Sequence, residues 1–221
     1  YYRGNLEQVA MLMTSQWGDT LYWLWRMLRT VGRIAFPIYC FLLVEGFLHT
    51  RDWRRYWLRM AAFALISEIP FRLAVWNTWA GGSSNVYVEL AIGLLVLRGL
   101  KQSEGLTQPR RAAGMAAVIG GGCLAAVFLK ADYDMDGILI ISLFYLLREK
   151  RIVQVMSGGI LSLLESWNMC YGAGILSAVP LYFYNGKKGQ APWKYAFYWF
   201  YPLHLMVLFF IRLYVVGIPL G

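Results

Sequence analysis

Residues 31–48 read VGRIAFPIYCFLLVEGFL, and this stretch decides the fold class. It is apolar except for Arg33 and Glu45, and at about 1.5 Å per residue a helix of this length nearly crosses a bilayer core of about 30 Å. Similar apolar runs recur along the 221 residues, of which 59% are hydrophobic and 15% are charged. Because a soluble domain of this length cannot bury so much apolar surface, we predict an all-α membrane protein.

The apolar runs predict a polytopic transmembrane helical bundle with about eight spans. The predicted spans are residues 31–48, 58–76, 85–97, 112–129, 137–147, 152–164, 171–184 and 195–216. The runs at 137–147 and 152–164 are short enough to be half-spans. We assign residues 31–221 to a single transmembrane domain and residues 1–30 to an outer-side or interfacial segment.

Positive charge alternates between the predicted loops. The loops after the first, third, fifth and seventh spans are basic, whereas the loops between them are uncharged or, at residues 130–136, acidic. The positive-inside rule therefore places the basic loops in the cytoplasm, and we expect an integral protein of the bacterial inner membrane. The formal net charge of +9 is divided among these clusters and forms no single stripe. We therefore expect the lipid bilayer, and no nucleic acid, as a partner.

The ionisable residues inside the apolar runs are the main functional clues. They are Arg33, Glu45, Glu68, Arg72, Glu89 and His204. A charge at the bilayer centre costs about 2.5–3.5 kcal/mol, so each of these side chains must face protein or a water-filled cavity. His204 is predicted near mid-depth, and histidine is the side-chain type suited to proton transfer near neutral pH. The alternative is structural, with Arg33 or Arg72 paired to Glu89 to hold helices together.

A metal site is disfavoured by the sequence. Glu45 and His49 are four residues apart on one helix face, but two ligands do not make a zinc site. The acidic run at residues 132–137 fails as an EF-hand loop because its twelfth position is Leu143. The three cysteines are too widely spaced for a local metal site.

Several blocks of the sequence resemble the TraX family of membrane proteins. The opening blocks are residues 32–37, 41–47 and 49–51, and the later ones are 65–71, 85–86, 132–139 and 200–205. The resemblance runs in matching order from Gly32 to Leu213. TraX proteins usually carry an Asp-His pair in a helix ahead of the first block. Nothing in residues 1–30 matches that pair, so we expect this helix to be missing from the chain.

The resemblance implies an acyltransferase, since the family is named for the acetylase of the conjugative pilin N-terminus. It implies acetyl-CoA as the acyl donor and an amine, such as a pilin or peptide N-terminus, or a hydroxyl as the acceptor. The predicted catalytic residues are His204 as the base, Arg33 at the oxyanion, and Glu45. The predicted acceptor-binding residues are Glu68, Asn85, Tyr133, Asp136 and Tyr201. The predicted cofactor-binding residues are His49, Arg51 and Arg55, although positive-inside topology also explains the arginines.

Two other functions remain as alternatives. In a small-solute transporter the buried charges would line the transport path, and inverted repeats would favour this function, but the sequence contains none that we detect. In a non-catalytic membrane component of a pilus or conjugation apparatus, variants of the buried charges would fail only through loss of stability.

Overall fold

The computed structural model describes residues 18–79, 81–186 and 195–216. Within these ranges all regular secondary structure is helical, as the sequence predicts. Residues 1–17 of the predicted interfacial segment lie outside the described residues.

The described helices are numbered here in chain order. They are α1 (Gly18–His49), α2 (Trp53–Phe71), α3 (Val86–Ser103), α4 (Arg110–Phe128), α5 (Asp134–Leu146), α6 (Arg151–Cys170), α7 (Ala178–Tyr182) and α8 (Ala196–Phe210). A π-helical turn, Arg72–Trp76, continues α2, and another, Ile211–Val216, continues α8. A 3₁₀ turn, Ala173–Ser177, leads into α7.

The expectation of about eight spans is not confirmed. Among the described residues, two helices are long and apolar enough to cross a bilayer, α1 and α4. Helix α5 has 13 residues, which corresponds to only about 20 Å. The predicted span at 171–184 is also interrupted. It opens with left-handed backbone at Tyr171 and Gly172, and a 3₁₀ turn and the five-residue α7 follow.

Two helices extend beyond their predicted ends. Helix α1 begins at Gly18 rather than at residue 31, and α6 continues to Cys170 rather than ending at residue 164. Near the start of α1, Arg26 donates a hydrogen bond to the Tyr22 hydroxyl one turn earlier. Thr30 donates to the Arg26 carbonyl. Such polar residues interrupt a hydropathy pattern but not a helix, because their side chains bond within it.

The core lies where α1, α3 and α5 meet. Fully buried side chains from these helices include Phe41, Val44, Leu94, Ile141 and Phe144. Gly93 allows α3 to approach α5 closely, because a Cβ there would lie 2.5 Å from the Ile141 side chain. The short α5 is therefore enclosed by its neighbours.

The exterior of the bundle carries many large apolar side chains. On α4, Leu124 and Phe128 are exposed, Phe128 to 86%. Leu65 of α2 and Leu164 of α6 are also exposed. Soluble monomers rarely display so much contiguous apolar surface, which is typical of protein that faces lipid.

The loops cluster by charge at opposite ends of the bundle. At one end, Arg98 lies 5.4 Å from the Trp53 ring, Lys101 lies 5.7 Å from the Phe47 ring, and Arg148 binds Glu104. We call this the basic end. At the other end, the acidic end, Ser84 donates from its backbone N–H to the Lys130 carbonyl at 2.7 Å. The loops that the charge pattern groups together therefore do lie together.

Candidate functional site

A charged cluster forms at the acidic end, where α1, α6 and the turn before α5 meet. Arg33 of α1 forms an ion pair with Glu165 of α6. Its guanidinium carbon lies 4.9 Å from the centroid of the Tyr133 ring. The charges of Asp132 and Asp136 also act on this group. We call Arg33, Glu165, Tyr133, Asp132 and Asp136 the Arg33 cluster.

Tyr133 is held in place by stacking. Its ring is parallel to that of Phe36, with an interplanar angle of 4° and ring centroids 3.3 Å apart. Burial raises the pKa of the Tyr133 phenol, and the nearby Arg33 opposes this effect. The phenol therefore stays protonated at neutral pH and keeps an O–H donor.

The Arg33 cluster places hydrogen-bond donors in a partly buried environment. The Arg33 and Glu165 side chains are 16% and 14% exposed. A guanidinium carries five N–H donors in a fixed planar arrangement, and the Tyr133 phenol carries one O–H donor. Donors of this kind stabilise a developing oxyanion more strongly in a site that excludes water than in solution.

Glu89 of α3 is enclosed and takes part in no ion pair among the described residues. Its residue exposure is 0%, no described side chain donates a hydrogen bond to its carboxyl oxygens, and the backbone N–H of Tyr133 faces them. The predicted structural alternative, an ion pair of Arg33 or Arg72 with Glu89, is wrong. Arg33 binds Glu165, and Arg72 binds Glu68 at 2.8 Å.

Glu68 and Asn85, both predicted to bind the acceptor, form a hydrogen bond with each other. Asn85 donates from its side-chain amide to one Glu68 oxygen at 2.5 Å, while Arg72 donates to the other oxygen. The side-chain oxygen Oδ1 of Asn85 accepts a hydrogen bond from the backbone N–H of Tyr87 at 3.0 Å and so caps α3. The hydrogen bond between Glu68 and Asn85 thus joins α2 to the start of α3.

His204 lies on α8 beside two aromatic rings. Its Nδ1 is 2.9 Å from the Phe200 carbonyl oxygen, and its ring packs against those of Phe200 and Tyr201. In the neutral tautomer that donates from Nδ1, Nε2 is the proton acceptor. No hydrogen bond or ion pair of the described residues joins His204 to Arg33.

Tyr201 packs against His204 and interacts electrostatically with the Arg33 cluster. Its ring centroid is 5.5 Å from that of His204 and 5.1 Å from that of Tyr87. Its phenol is also within electrostatic range of Asp132 and Tyr133. Tyr201 therefore connects two predicted parts of the site that do not touch directly.

The remaining predicted residues lie at the basic end. Glu45 is twelve residues beyond Arg33 on α1, which corresponds to about 18 Å along the helix. Its carboxylate is 3.9 Å from Nδ1 of His49. Arg51 is exposed, and Arg55 pairs with Asp52 at 3.0 Å. The structure thus divides the predicted catalytic set, with Arg33 at one end and Glu45 at the other.

Glu165 was missed by the sequence reasoning. The predicted span ended at residue 164, so Glu165 fell at a boundary and was counted neither in a span nor in a loop. The signal that could have found it is the apolar run that continues through Trp167, which extends the helix past this single carboxylate. His, Cys, Asp and Glu side chains form no group of three suited to a metal ion among the residues that the structure describes.

An apolar pocket of about 240 Å³ lies elsewhere, between α6 and α7. Val155, Ala178 and Phe183 are among its lining residues. None of the predicted site residues lines it, so this pocket is separate from the candidate site.

The fold and site define a helical membrane protein with ionisable side chains enclosed between its helices. The sequence matches the TraX protein family over residues 5–212, and the chain belongs to that family. This match begins ahead of Gly32, where the recognisable blocks begin. The chain is also similar to "Probable fimbrial assembly protein FimC, serogroup H1" of Dichelobacter nodosus, with 29% identity over 236 residues, 92% of this chain and 88% of that protein. No solved structure matches the chain.

Proposed function

We propose that this protein is an integral-membrane acyltransferase of pilus assembly or conjugation, located in the bacterial inner membrane. It transfers an acetyl group from acetyl-CoA to an amine, such as a pilin or peptide N-terminus, or to a hydroxyl. The observation that carries the proposal is the contact of Arg33 with Tyr133. These residues belong to two TraX-like blocks far apart in the sequence, and together they form a partly buried group of donors.

The reaction needs a group that stabilises negative charge on oxygen. The acceptor nitrogen attacks the thioester carbonyl carbon, and the carbonyl oxygen becomes an oxyanion until the carbon–sulfur bond breaks. Arg33 donates N–H and Tyr133 donates O–H to this oxygen. The loss of one such donor typically lowers kcat by about 10²–10³.

The reaction also needs a proton acceptor, because an ammonium cannot attack until it has lost a proton and become an amine, and this proton then passes to the departing CoA thiolate. His204 takes this role through Nε2, since its Nδ1 lies against the Phe200 carbonyl. Tyr201 packs against the imidazole and interacts electrostatically with Tyr133. In this role Tyr201 orients His204 relative to the Arg33 cluster. A positioned base contributes about 10²–10⁴ in rate.

The phosphates of acetyl-CoA bind at the basic end. Besides the exposed Arg51 and Arg55, Arg98 lies at this end, with its guanidinium carbon 5.4 Å from the Trp53 ring. Guanidinium groups form charge-assisted hydrogen bonds with phosphates. The predicted cytoplasmic orientation of this end agrees with the location of acetyl-CoA.

A transfer assay tests the proposal. Full-length protein in lipid nanodiscs is mixed with acetyl-CoA labelled in the acetyl group and a peptide with a free N-terminal amine, and an N-terminally blocked peptide is the control. We expect label only on the free peptide. His204→Ala and Arg33→Gln should each lower transfer by about 10²-fold or more, whereas Arg110→Ala, which removes an exposed charge, should not. Absence of both transfer and acetyl-CoA binding in the unaltered protein would overturn the proposal.

A non-catalytic role in pilus assembly is the second candidate, and two observations favour it. The similar protein of Dichelobacter nodosus is named for fimbrial assembly. The ion pair Arg33–Glu165 also joins α1 to α6, which is a structural contact in its own right. Under this function every site variant would impair piliation only as far as it lowers the free energy of unfolding.

A further inference from the structure

The proposed function leaves Glu89 without a role, although its carboxyl group is fully enclosed. The residue is 0% exposed and takes part in no ion pair among the described residues. No side chain of the described residues donates a hydrogen bond to either oxygen, and the polar group that faces them is the backbone N–H of Tyr133. An ionised carboxylate in such a place costs far more free energy than a neutral carboxylic acid.

The groups around Glu89 oppose a negative charge on it. Asp132, Asp134 and Asp136 act on it from the turn before α5 and from the first turn of that helix. Cys40 of α1 and Cys123 of α4 also interact with it electrostatically. Glu68 of α2 pairs with Arg72 and accepts a hydrogen bond from Asn85, which lies one helical turn before Glu89 in the sequence. Burial and every facing carboxylate thus favour a proton on Glu89, whereas the backbone N–H of Tyr133 opposes it.

The path from Glu89 to water is short. The Glu89 carboxyl packs directly against Gly137 of α5. A Cβ atom at Gly137 would lie only 2.5 Å from the Glu89 Oε1 atom, so no larger residue fits there. Asp134 and Asp136, in the same first turn of α5, are exposed. Less than one helical turn therefore separates the enclosed carboxyl from solvated carboxylates.

We propose that Glu89 is a buried proton-binding site that exchanges its proton with water at the acidic turn 132–136. The Glu89 carboxylic acid passes its proton to the Asp136 carboxylate, directly or through water, and the reverse step restores it. No other bond forms or breaks. Because the ligand is a proton, this site does not depend on acyl transfer.

Infrared difference spectroscopy of the full chain in lipid nanodiscs tests the proposal. A protonated carboxyl has a C=O stretch that carboxylates lack, and this band shifts when deuterium replaces the proton. We expect the band at neutral pH, its loss in Glu89→Gln, and its retention in Glu89→Asp and in Glu68→Gln. In D₂O the band should shift sooner than the amide protons of α3 exchange. A spectrum that Glu89→Gln leaves unchanged, or a band that never shifts, would overturn the proposal.

A carbodiimide provides a second measurement. Dicyclohexylcarbodiimide is lipid-soluble and reacts with protonated carboxyls: the acid adds across a C=N bond, the proton goes to nitrogen, and the adduct rearranges to a stable N-acylurea. We expect mass spectrometry to find the label on the peptide that contains Glu89, with labelling that falls as the pH rises. Labelling of Glu68 in preference to Glu89 would contradict the assignment.

Discussion

The side-chain amide of Asn85 donates a hydrogen bond to Glu68 across the α2–α3 interface, with Nδ2 and Oε2 2.5 Å apart. The same amide donates to the Ala64 carbonyl at 2.7 Å. On its other side, Asn85 accepts from the backbone of Tyr87 and begins α3. One buried residue therefore both caps a helix and joins it to its neighbour.

Replacing Asn85 should destabilise the protein. Asn85→Ala removes the cap and two donated side-chain hydrogen bonds, and it leaves the Glu68 Oε2 atom with only the backbone N–H of residue 85 as a donor. We therefore expect a loss of about 1–3 kcal/mol in the free energy of unfolding. Denaturant unfolding in detergent measures this. Gln102→Ala, at an exposed position on the same helix, is the matched control and should change little. Equal stability of the two variants would show that the network contributes nothing.

Exchanging the members of the ion pair should separate catalysis from stability. Arg33→Glu and Glu165→Arg each place like charges together and should destabilise the protein. The double variant should recover about 0.5–3 kcal/mol of coupling energy. Because the oxyanion donor then lies on the other helix, acetyl transfer should stay low. Full recovery of function together with stability would instead favour the non-catalytic assembly role.

Neighbouring glycines of α4 should respond in opposite directions. A Cβ at Gly122 would collide with the Val96 side chain of α3, whereas one at Gly121 would meet nothing within 4 Å. We expect Gly122→Ala to cost about 1–3 kcal/mol through overpacking. Gly121→Ala should add about 0.5–1 kcal/mol, since alanine favours the helix. Thermal unfolding of both variants measures the difference, and the same sign for both would mean that α4 does not pack on α3 as described.

Tyr133 should make the protein sensitive to alkali. Burial raises the pKa of its phenol above the value of about 10 found in unfolded chains. Above that pH the unfolded state releases the proton first, so stability falls as the pH rises, by up to about 1.4 kcal/mol per pH unit. Tyr133→Phe should show a shallower loss between pH about 9 and 11. Tyr214→Phe, at an exposed position, is the control. Identical pH profiles for Tyr133→Phe and the unaltered protein would exclude this contribution.

The positions of the long helices follow from sequence patterns alone. Apolar runs interrupted by basic clusters predicted the helices at 58–76, 85–97 and 112–129, each of which overlaps an observed helix. Grouping of the loops by charge was also predictable, because alternating loops of an up-and-down bundle share an end. The place of Tyr133 and Asp136 at the acidic end followed from that grouping.

The pairing of side chains was not predictable. Which carboxylate binds Arg33 depends on the rotation of each helix about its axis and on where α6 ends, and neither is encoded in hydropathy. Glu165 was therefore overlooked, and Glu89 was given a partner that it does not have. The break at Tyr171 and Gly172 was hidden as well, because left-handed backbone at a tyrosine has no clear compositional signal.

The length of α1 has a consequence for where acylation would take place. Its 32 residues reach about 48 Å, well beyond a hydrocarbon layer of about 30 Å. Arg33 is sixteen residues, or about 24 Å, from the end of α1 at His49. If the basic end faces the cytoplasm, as the charge pattern predicts, Arg33 lies just below the lipid headgroups of the other membrane face. An acceptor chain on that side of the membrane would reach Arg33 and Tyr133 without entering the lipid tails. The thioester of acetyl-CoA would instead have to extend from the cytoplasmic end of the bundle to Arg33.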